Sequence, residues 1–482
     1  MLRARSFGEE SVDSKSCRQH LMQLAVLATL AASSFTQDES MKPDPRITAA
    51  LQQISAERVR ADIEKLVSFR TRLTLSAQDP KSTAEGRGIG AAREWIKNEF
   101  EHYSSECGGC LEVKTHTFTE APADRIPRPT EITNVYAVLR GQDSASVNRI
   151  VLVTGHYDSR NSDTFDINGD APGANDDASG TVVSLECARV LSKLKFSATI
   201  IFLAVAGEEQ GLNGSHHFAK MADMDREHWQ IEAVLNNDVV GGDKNPQQDS
   251  TIVRVFSEGI PAAALEPFRP PASQKTMVRE DVRAIRSIGS ESDSDSRQLA
   301  RYIAEVARTY QSQVKPMLVF RPDRYLRGGD HTSFNQFGFA AVRFTEYRED
   351  YHHQHQNVRT ENGIEYGDLP KFVNFDYVAQ VARLNAATLA SLASAPAPPQ
   401  NARLVTKELT NDSTLTWTEP PGAAGYEVLW RSTSSPEWEN AKPVGNVSHA
   451  TLPISKDNVS FAVRSLDADG HRSLAVAPLP ER

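Results

Sequence analysis

Residues 150–158 read IVLVTGHYD, 172–181 PGANDDASGT, 199–213 TIIFLAVAGEEQGLN and 231–240 IEAVLNNDVV. Three of these open on an apolar run of strand length, and all carry a histidine or carboxylates in a turn rich in small residues. Helix-periodic segments such as GTVVSLECARVLSKLK, 180–195, separate them. Alternation of this kind predicts an α/β fold: a mostly parallel mixed sheet with helices on both faces, its chemistry beyond the carboxyl ends of the strands.

His156 follows the first of these strands, and Asp158 is placed to accept its second imidazole N–H, which fixes a metal-binding tautomer. A lone histidine there is ordinarily structural, so its weight comes from the residues that join it. Asp176 lies in a Gly/Ala-rich turn that lets the backbone approach closely, and its two oxygens can bridge two cations. Helix capping suits its neighbour Asp177 better. The adjacent Glu208 and Glu209 repel unless metal neutralises one and the other shares a proton with water; Glu209 is expected to ligate and Glu208 to act as general base. Asp238 ends another strand and adds an oxygen. One more nitrogen is needed, from His331 in GGDHTSF or from His352, His353 or His355 in DYHHQHQNVR, and periodicity does not choose among them.

A net charge of -10 over 482 residues, without a Lys/Arg block, excludes an obvious nucleic-acid partner and describes a soluble acidic chain. The apolar run 21–35, preceded by Arg3, Arg5, Lys15 and Arg18, has the layout of a signal peptide, expected over residues 1–36, and no other run suggests a transmembrane span. The leader is long and carries Glu9, Glu10 and Asp13, which leaves Met22 as an alternative start. A secreted or periplasmic enzyme follows, and in that compartment Cys107 and Cys110 are expected to form a disulfide, with Cys187 a buried apolar residue. Residues 261–296 read as a charged excursion. SAPAPPQ, 394–400, is a stiff linker, and from 401 to 482 short alternating runs with regular turn signals predict a small all-β sandwich filled by Trp417, Tyr426 and Trp430. That pattern resembles a fibronectin type III module.

GHYDS, PGANDDASG, AGEEQGLNGS and NNDVV, in this order, resemble the exported co-catalytic zinc aminopeptidases of metallopeptidase clan MH, the bacterial leucyl aminopeptidase type. The resemblance covers residues 47–393 and implies the zinc-exopeptidase fold with two zinc ions per chain. It implies His156 and Asp238 on one zinc, Glu209 and a late histidine on the other, Asp176 as bridge and Glu208 as base. The family's last ligand follows a strand and loop and is often followed four residues on by Asp, which favours His353 with Asn357. HHQHQN departs from the family's usual HT, so His355 stays open, and His331 is placed beside the site with Asp330.

The implied function is an aminopeptidase that removes N-terminal residues from peptides: two zinc ions acidify a shared water and Glu208 carries its proton to the leaving amine. Tyr325 is a possible oxyanion donor, with a packed tyrosine as the plain alternative. A carboxypeptidase for acidic C-termini would need an arginine cluster such as Arg321, Arg324, Arg327 and Arg343. A glutaminyl cyclase would use a single zinc on the same scaffold, and an inactive binding protein would act through the β module, which is otherwise expected to tether the enzyme to a surface or polymer.

Overall fold

The apolar runs form the middle of one large sheet. The computed structural model describes residues 41–261, 282 and 285–481, so the expected leader and residues 262–281 of the charged excursion lie outside the described residues. The strands are β1 (Leu111–Glu120), β2 (Thr130–Leu139), β3 (Arg149–His156), β4 (Thr199–Val205), β5 (Gln230–Asn237), β6 (Ile252–Ser257), β7 (Lys315–Val319) and β8 (Ala341–Glu346). Their order is β1-β2-β4-β3-β5-β8-β6-β7. The inner strands β4, β3, β5 and β8 run parallel, while β1, β2 and β6 introduce antiparallel pairs. The α/β expectation holds.

Every residue of β3, β4 and β8 is buried, because helices cover both faces. On one face the helix Ala178–Leu191, itself wholly buried, packs between the sheet and the helix Phe375–Ser394. On the other, Phe218 of the helix Asn213–Met224 and Phe334 of the helix Asp330–Gln336 join the apolar layer. Helix and sheet touch through backbone: a Cβ on Gly155 would lie 2.3 Å from the carbonyl carbon of Gly180, and one on Gly180 would lie 2.2 Å from the Asn237 oxygen. Glycine at both positions seats the start of the helix against the ends of β3 and β5.

Cys107 and Cys110 are disulfide-bonded where the helix Gly88–Glu106 gives way to β1, and Cys187 is buried in its helix. A short ribbon, β9 (Arg359–Glu361) with β10 (Ile364–Tyr366), follows the sheet. Then come β11 (Gln400–Val405), β12 (Ser413–Thr418), β13 (Gly425–Ser432), β14 (Asn440–Gly445), β15 (His449–Leu452), β16 (Val459–Leu466) and β17 (Leu479–Glu481). They make a four-stranded sheet, β15-β12-β11-β17, and a three-stranded one, β14-β13-β16, around a core holding Trp417 and Tyr426 with Trp430 at its margin.

The connection between the helix Phe375–Ser394 and β11 is packed on both sides. The Ala395 carbonyl accepts from Arg149 (2.9 Å) and the Ala397 carbonyl from the Ser465 hydroxyl (2.5 Å). Buried Glu427 accepts from Arg464 (2.8 Å) and Arg472 (2.9 Å), and Arg464 also reaches Glu305 on the helix Asp295–Thr309. Arg431 donates to Asp293 (2.7 Å) and Trp438 to Gln298 (3.1 Å). Among the described residues no helix is long and apolar enough to cross a membrane.

Candidate metal centre

The ends of β3, β4 and β5 together with two loops bring His156, Glu208, Glu209, Asp238, Asp176 and His355 to a single place. His156 is the last residue of β3 and is buried; its Nδ1 lies 3.1 Å from the Asp158 carbonyl, nearer than the Asp158 carboxylate at 3.4 Å. Asp158 is instead anchored by the Thr74 hydroxyl (2.8 Å) and receives the Glu209 N–H (3.1 Å), so it positions the Glu208-Glu209 turn after β4. Asp176 stands between two imidazoles: Oδ1 is 3.2 Å from His156 Nε2 and Oδ2 is 2.8 Å from His355 Nε2. The peptide between Asp176 and Asp177 is cis. Asp177 caps the following helix by accepting the Gly180 N–H (2.9 Å), which leaves Asp176 to face the site.

Two donor groups result. His156, Glu208 and Asp238 form one and Asp176, Glu209 and His355 the other, and within each the ligand-capable atoms lie within 4.8 Å of one another. His156 Nε2, Glu209 Oε1 and His355 Nε2 are buried without a hydrogen-bond partner although acidic oxygens stand close by. Buried polar atoms are ordinarily satisfied. Imidazole nitrogens and carboxylate oxygens that converge without aligning as hydrogen bonds fit a pair of zinc-sized cations, whose preferred donors these are.

Electrostatics point the same way. Burial alone would lower the His156 pKa, but Glu208, Asp177 and the neighbouring aspartates hold it well above the usual histidine range. Burial would likewise lower His355, and Glu209 with Asp176 raise it to about 10. Arg160 Nη2 lies 2.6 Å from His355 Nδ1. Burial pushes the Glu208 carboxyl well above the carboxylate range against the pull of His156, with Asp238 and Glu209 adding to the rise. A site crowded with acids and rings that compete for the same protons is built to exchange them for cations.

His353, expected as the last ligand, is elsewhere. It and His355 lie in one tight turn in which the Asp350 carbonyl accepts the N–H groups of His353 (3.1 Å) and Gln354 (3.0 Å), and His355 has a left-handed φ of 57°. The turn sends the two rings apart. His353 pairs with Asp243 (2.5 Å) and stacks on Phe372 with centroids 3.7 Å apart, whereas His355 joins Asp176 and Glu209. Asn357 accepts from Ser162. His331 does not pair with Asp330 but contacts the Pro322 carbonyl (2.8 Å), and burial drives its pKa down to about 4. Tyr325 is 79% exposed, with Arg321 over its ring (4.0 Å) and donating to its hydroxyl (3.1 Å), so it is not a packed core tyrosine.

Sequence spacing missed several supports. Arg160 donates through Nε to Glu209 Oε2 (2.8 Å), turning the other oxygen inward. Gln354 donates to Asp176 Oδ2 (2.7 Å), Asp368 accepts the Asp176 N–H (2.7 Å), and buried Arg343 holds Asp238 Oδ1 (2.9 Å) and Asp323 (3.2 Å). All the donors but the buried His156 line a cavity of about 660 Å³ whose walls include Arg125, Arg324, Arg327, Leu212, Tyr351 and Gln356.

Residues 134–369, which contain every donor above, match the family model described as Peptidase family M28. A probable zinc metalloprotease of Pyrenophora teres f. teres is 44% identical over 443 residues, 91% of this chain and 88% of the relative. One of Pyricularia oryzae is 45% identical over 448 residues, 91% and 85%. The chain belongs to peptidase family M28. The expectation of a hydrolytic enzyme holds with that membership, and zinc is the metal by which these M28 relatives are named. Among solved structures, LapA of Legionella pneumophila superposes with a TM-score of 0.50 at 20% identity, covering 78% of this chain and 84% of its own, a likeness of fold.

Proposed function

We propose that this M28 peptidase is a dizinc aminopeptidase that removes N-terminal residues from peptides. The observation that carries the reading is the pair of donor groups joined by Asp176 on one cavity floor, with Glu208 beside them. His156 and Asp238 would hold one zinc, Glu209 and His355 the other, and Asp176 both. The metals, when bound, acidify water and polarise the scissile carbonyl.

The chain's own groups then act on protons and position. Glu208 lines the cavity yet is fixed through its backbone N–H to Asp158, so its carboxylate is free to take a proton from the attacking water and return it to the leaving nitrogen. Arg160, Gln354 and Arg343 hold Glu209, Asp176 and Asp238 in place, so the floor is organised before substrate arrives. The substrate's free amine finds acidic groups only on this floor, because the other charged lining residues, His355 apart, are arginines. That arrangement supports cleavage next to an amino terminus.

The test compares unblocked and N-acetylated peptides, with and without chelator. Cleavage should require the free amine and vanish with the metal; equal turnover of blocked peptides would overturn the aminopeptidase reading. Glu208→Gln should keep its zinc and lose about 10²- to 10⁴-fold in kcat, the usual worth of a general base. Cyclisation of N-terminal glutamine without peptide cleavage would instead favour a glutaminyl cyclase.

We further propose export. The apolar run 21–35 and the Cys107–Cys110 disulfide support it. N-terminal sequencing of the protein recovered from the producing cell's medium or periplasm should begin beyond residue 36, and an intact leader on intracellular protein would count against it.

A further inference from the structure

The cavity above the metal donors has an unusual charge pattern. Its four carboxylates, Asp176, Glu208, Glu209 and Asp238, all belong to the two donor groups: three would hold cations, and Glu208 is the base. Every other charged side chain in the lining except His355 is an arginine: Arg125, Arg160, Arg324 and Arg327. Apolar cover is scant, since Leu212 and Leu326 are the aliphatic lining residues and Leu326 points fully into solvent. A pocket for a leucine-like side chain would be walled by apolar groups.

The four arginines are not equivalent. Arg324 uses its donors on Asp323, Glu349 and the Gly328 carbonyl, and Arg160 uses its own on Glu209, the Asn161 carbonyl and His355. Both are structural cations. Arg327 engages only Nη1, with Glu349 (3.1 Å) and the Tyr351 hydroxyl (3.4 Å), while its guanidinium lies 5.8 Å from the Tyr351 ring centre. Arg125 engages only Nη1, with the Glu209 carbonyl (3.0 Å). Both residues line the cavity and each has guanidinium nitrogens beyond Nη1 that those bonds do not use, and a guanidinium fork matches a carboxylate in geometry as well as charge.

We infer that the enzyme selects substrates with a carboxylate beside the scissile bond, and that Arg125 and Arg327 bind that carboxylate. The inference rests on the exopeptidase reading above and specifies its substrate class. Two sources offer this chemistry: an N-terminal Glu or Asp side chain, or the free C-terminus of a dipeptide.

The experiment uses the full zinc-loaded chain with matched substrates: Glu- against Gln-anilide, Asp- against Asn-anilide, and dipeptides against their C-terminal amides. An acidic side-chain pocket should give kcat/KM ratios of roughly ten- to a hundredfold for Glu over Gln, the range of a charge-assisted hydrogen bond, shrinking as salt is added. Arg327→Gln and Arg125→Gln should each draw that ratio toward one with zinc content intact. Arg327 also braces Glu349, so exposed Arg125 supplies the variant least able to disturb the fold. If the anilide ratios are near one but free dipeptides outrun their amides by the same factor, with the same sensitivity to the two arginines, the bound carboxylate is the C-terminal one and the inference stands. Neutral substrates and amides cleaved as well as their charged partners would overturn it while leaving free-amine dependence untouched. Cleavage indifferent to N-acetylation would sink the underlying aminopeptidase reading instead.

Discussion

The late histidine is where one residue decides the chemistry. His355→Ala should lose about half the bound zinc and most of the activity, whereas His353→Ala should retain both and lose only its stacked pair with Asp243 and Phe372; metal analysis of the two purified variants checks this. Proton linkage gives a second prediction. His156 is held protonated well above its ordinary range by the acids around it, so before metal binds at neutral pH it carries a proton on Nε2 that a cation must displace. Zinc affinity should therefore rise about tenfold per pH unit for each proton displaced while pH stays below that raised pKa, and fall as pH drops. Titration calorimetry in buffers of differing ionisation enthalpy should register the released proton, and a pH-independent affinity would contradict it. At this scale the sequence was legible where a residue sat at the end of its own strand or in a turn of small residues, as with His156, Glu209 and Asp238 or with Asp176. It was not legible for His355, whose direction depends on a left-handed turn, nor for Arg160 and Arg343, whose partners lie in loops distant in sequence.

Among elements, the helix Ala178–Leu191 ties the site to the sheet. Gly180→Ala would put a methyl group against the Asn237 carbonyl and the Asp177 carboxylate, with backbone on one side that cannot yield. We expect a loss of about 1–3 kcal/mol or more, read by urea unfolding, together with weaker zinc binding because Asp238 directly follows β5. The neighbouring helix Ala56–Ser68 makes a different prediction. Burial, reinforced by Glu186, raises Asp62 to about 7, against an ordinary value of 3.8. The folded chain thus binds a proton that the unfolded chain has lost between those two values, so stability falls as pH rises through that window. Asp62→Asn should flatten this fall, leaving the variant relatively more stable at pH 8 than at pH 5 by thermal melting. Periodicity announced the helix that follows Gly180 and the apolar runs that become β3, β4 and β5, since their spacing is local. It said nothing of the antiparallel placement of β6 beside β8, which is settled by pairing across the sheet rather than by composition.

For the whole molecule, the β sandwich is bound to the catalytic portion through groups that are costly to separate. Glu427 neutralises both Arg464 and Arg472 in buried surroundings, and Arg464 reaches across to Glu305. Removing one member leaves uncompensated charge, so Glu427→Ala should cost about 3–5 kcal/mol. The full chain should unfold in a single transition that this variant shifts; a sandwich that melted separately would show that the contacts are weak. The alternating runs after residue 400 disclosed a sandwich, but its docking was invisible because the paired charges belong to segments far apart in sequence.

The backbone contact among Gly155, Gly180 and Asn237 leaves no side chain between strand and helix under the metal donors. Substitution there has almost nothing to vary, while the loops bearing Arg125, Arg327 and Gln356 hang free of that contact. Divergence should accordingly be lopsided: a random library confined to residues 325–327 and 356 should yield many folded, zinc-loaded enzymes with altered appetites, and one confined to residues 155, 180 and 237 should yield almost none.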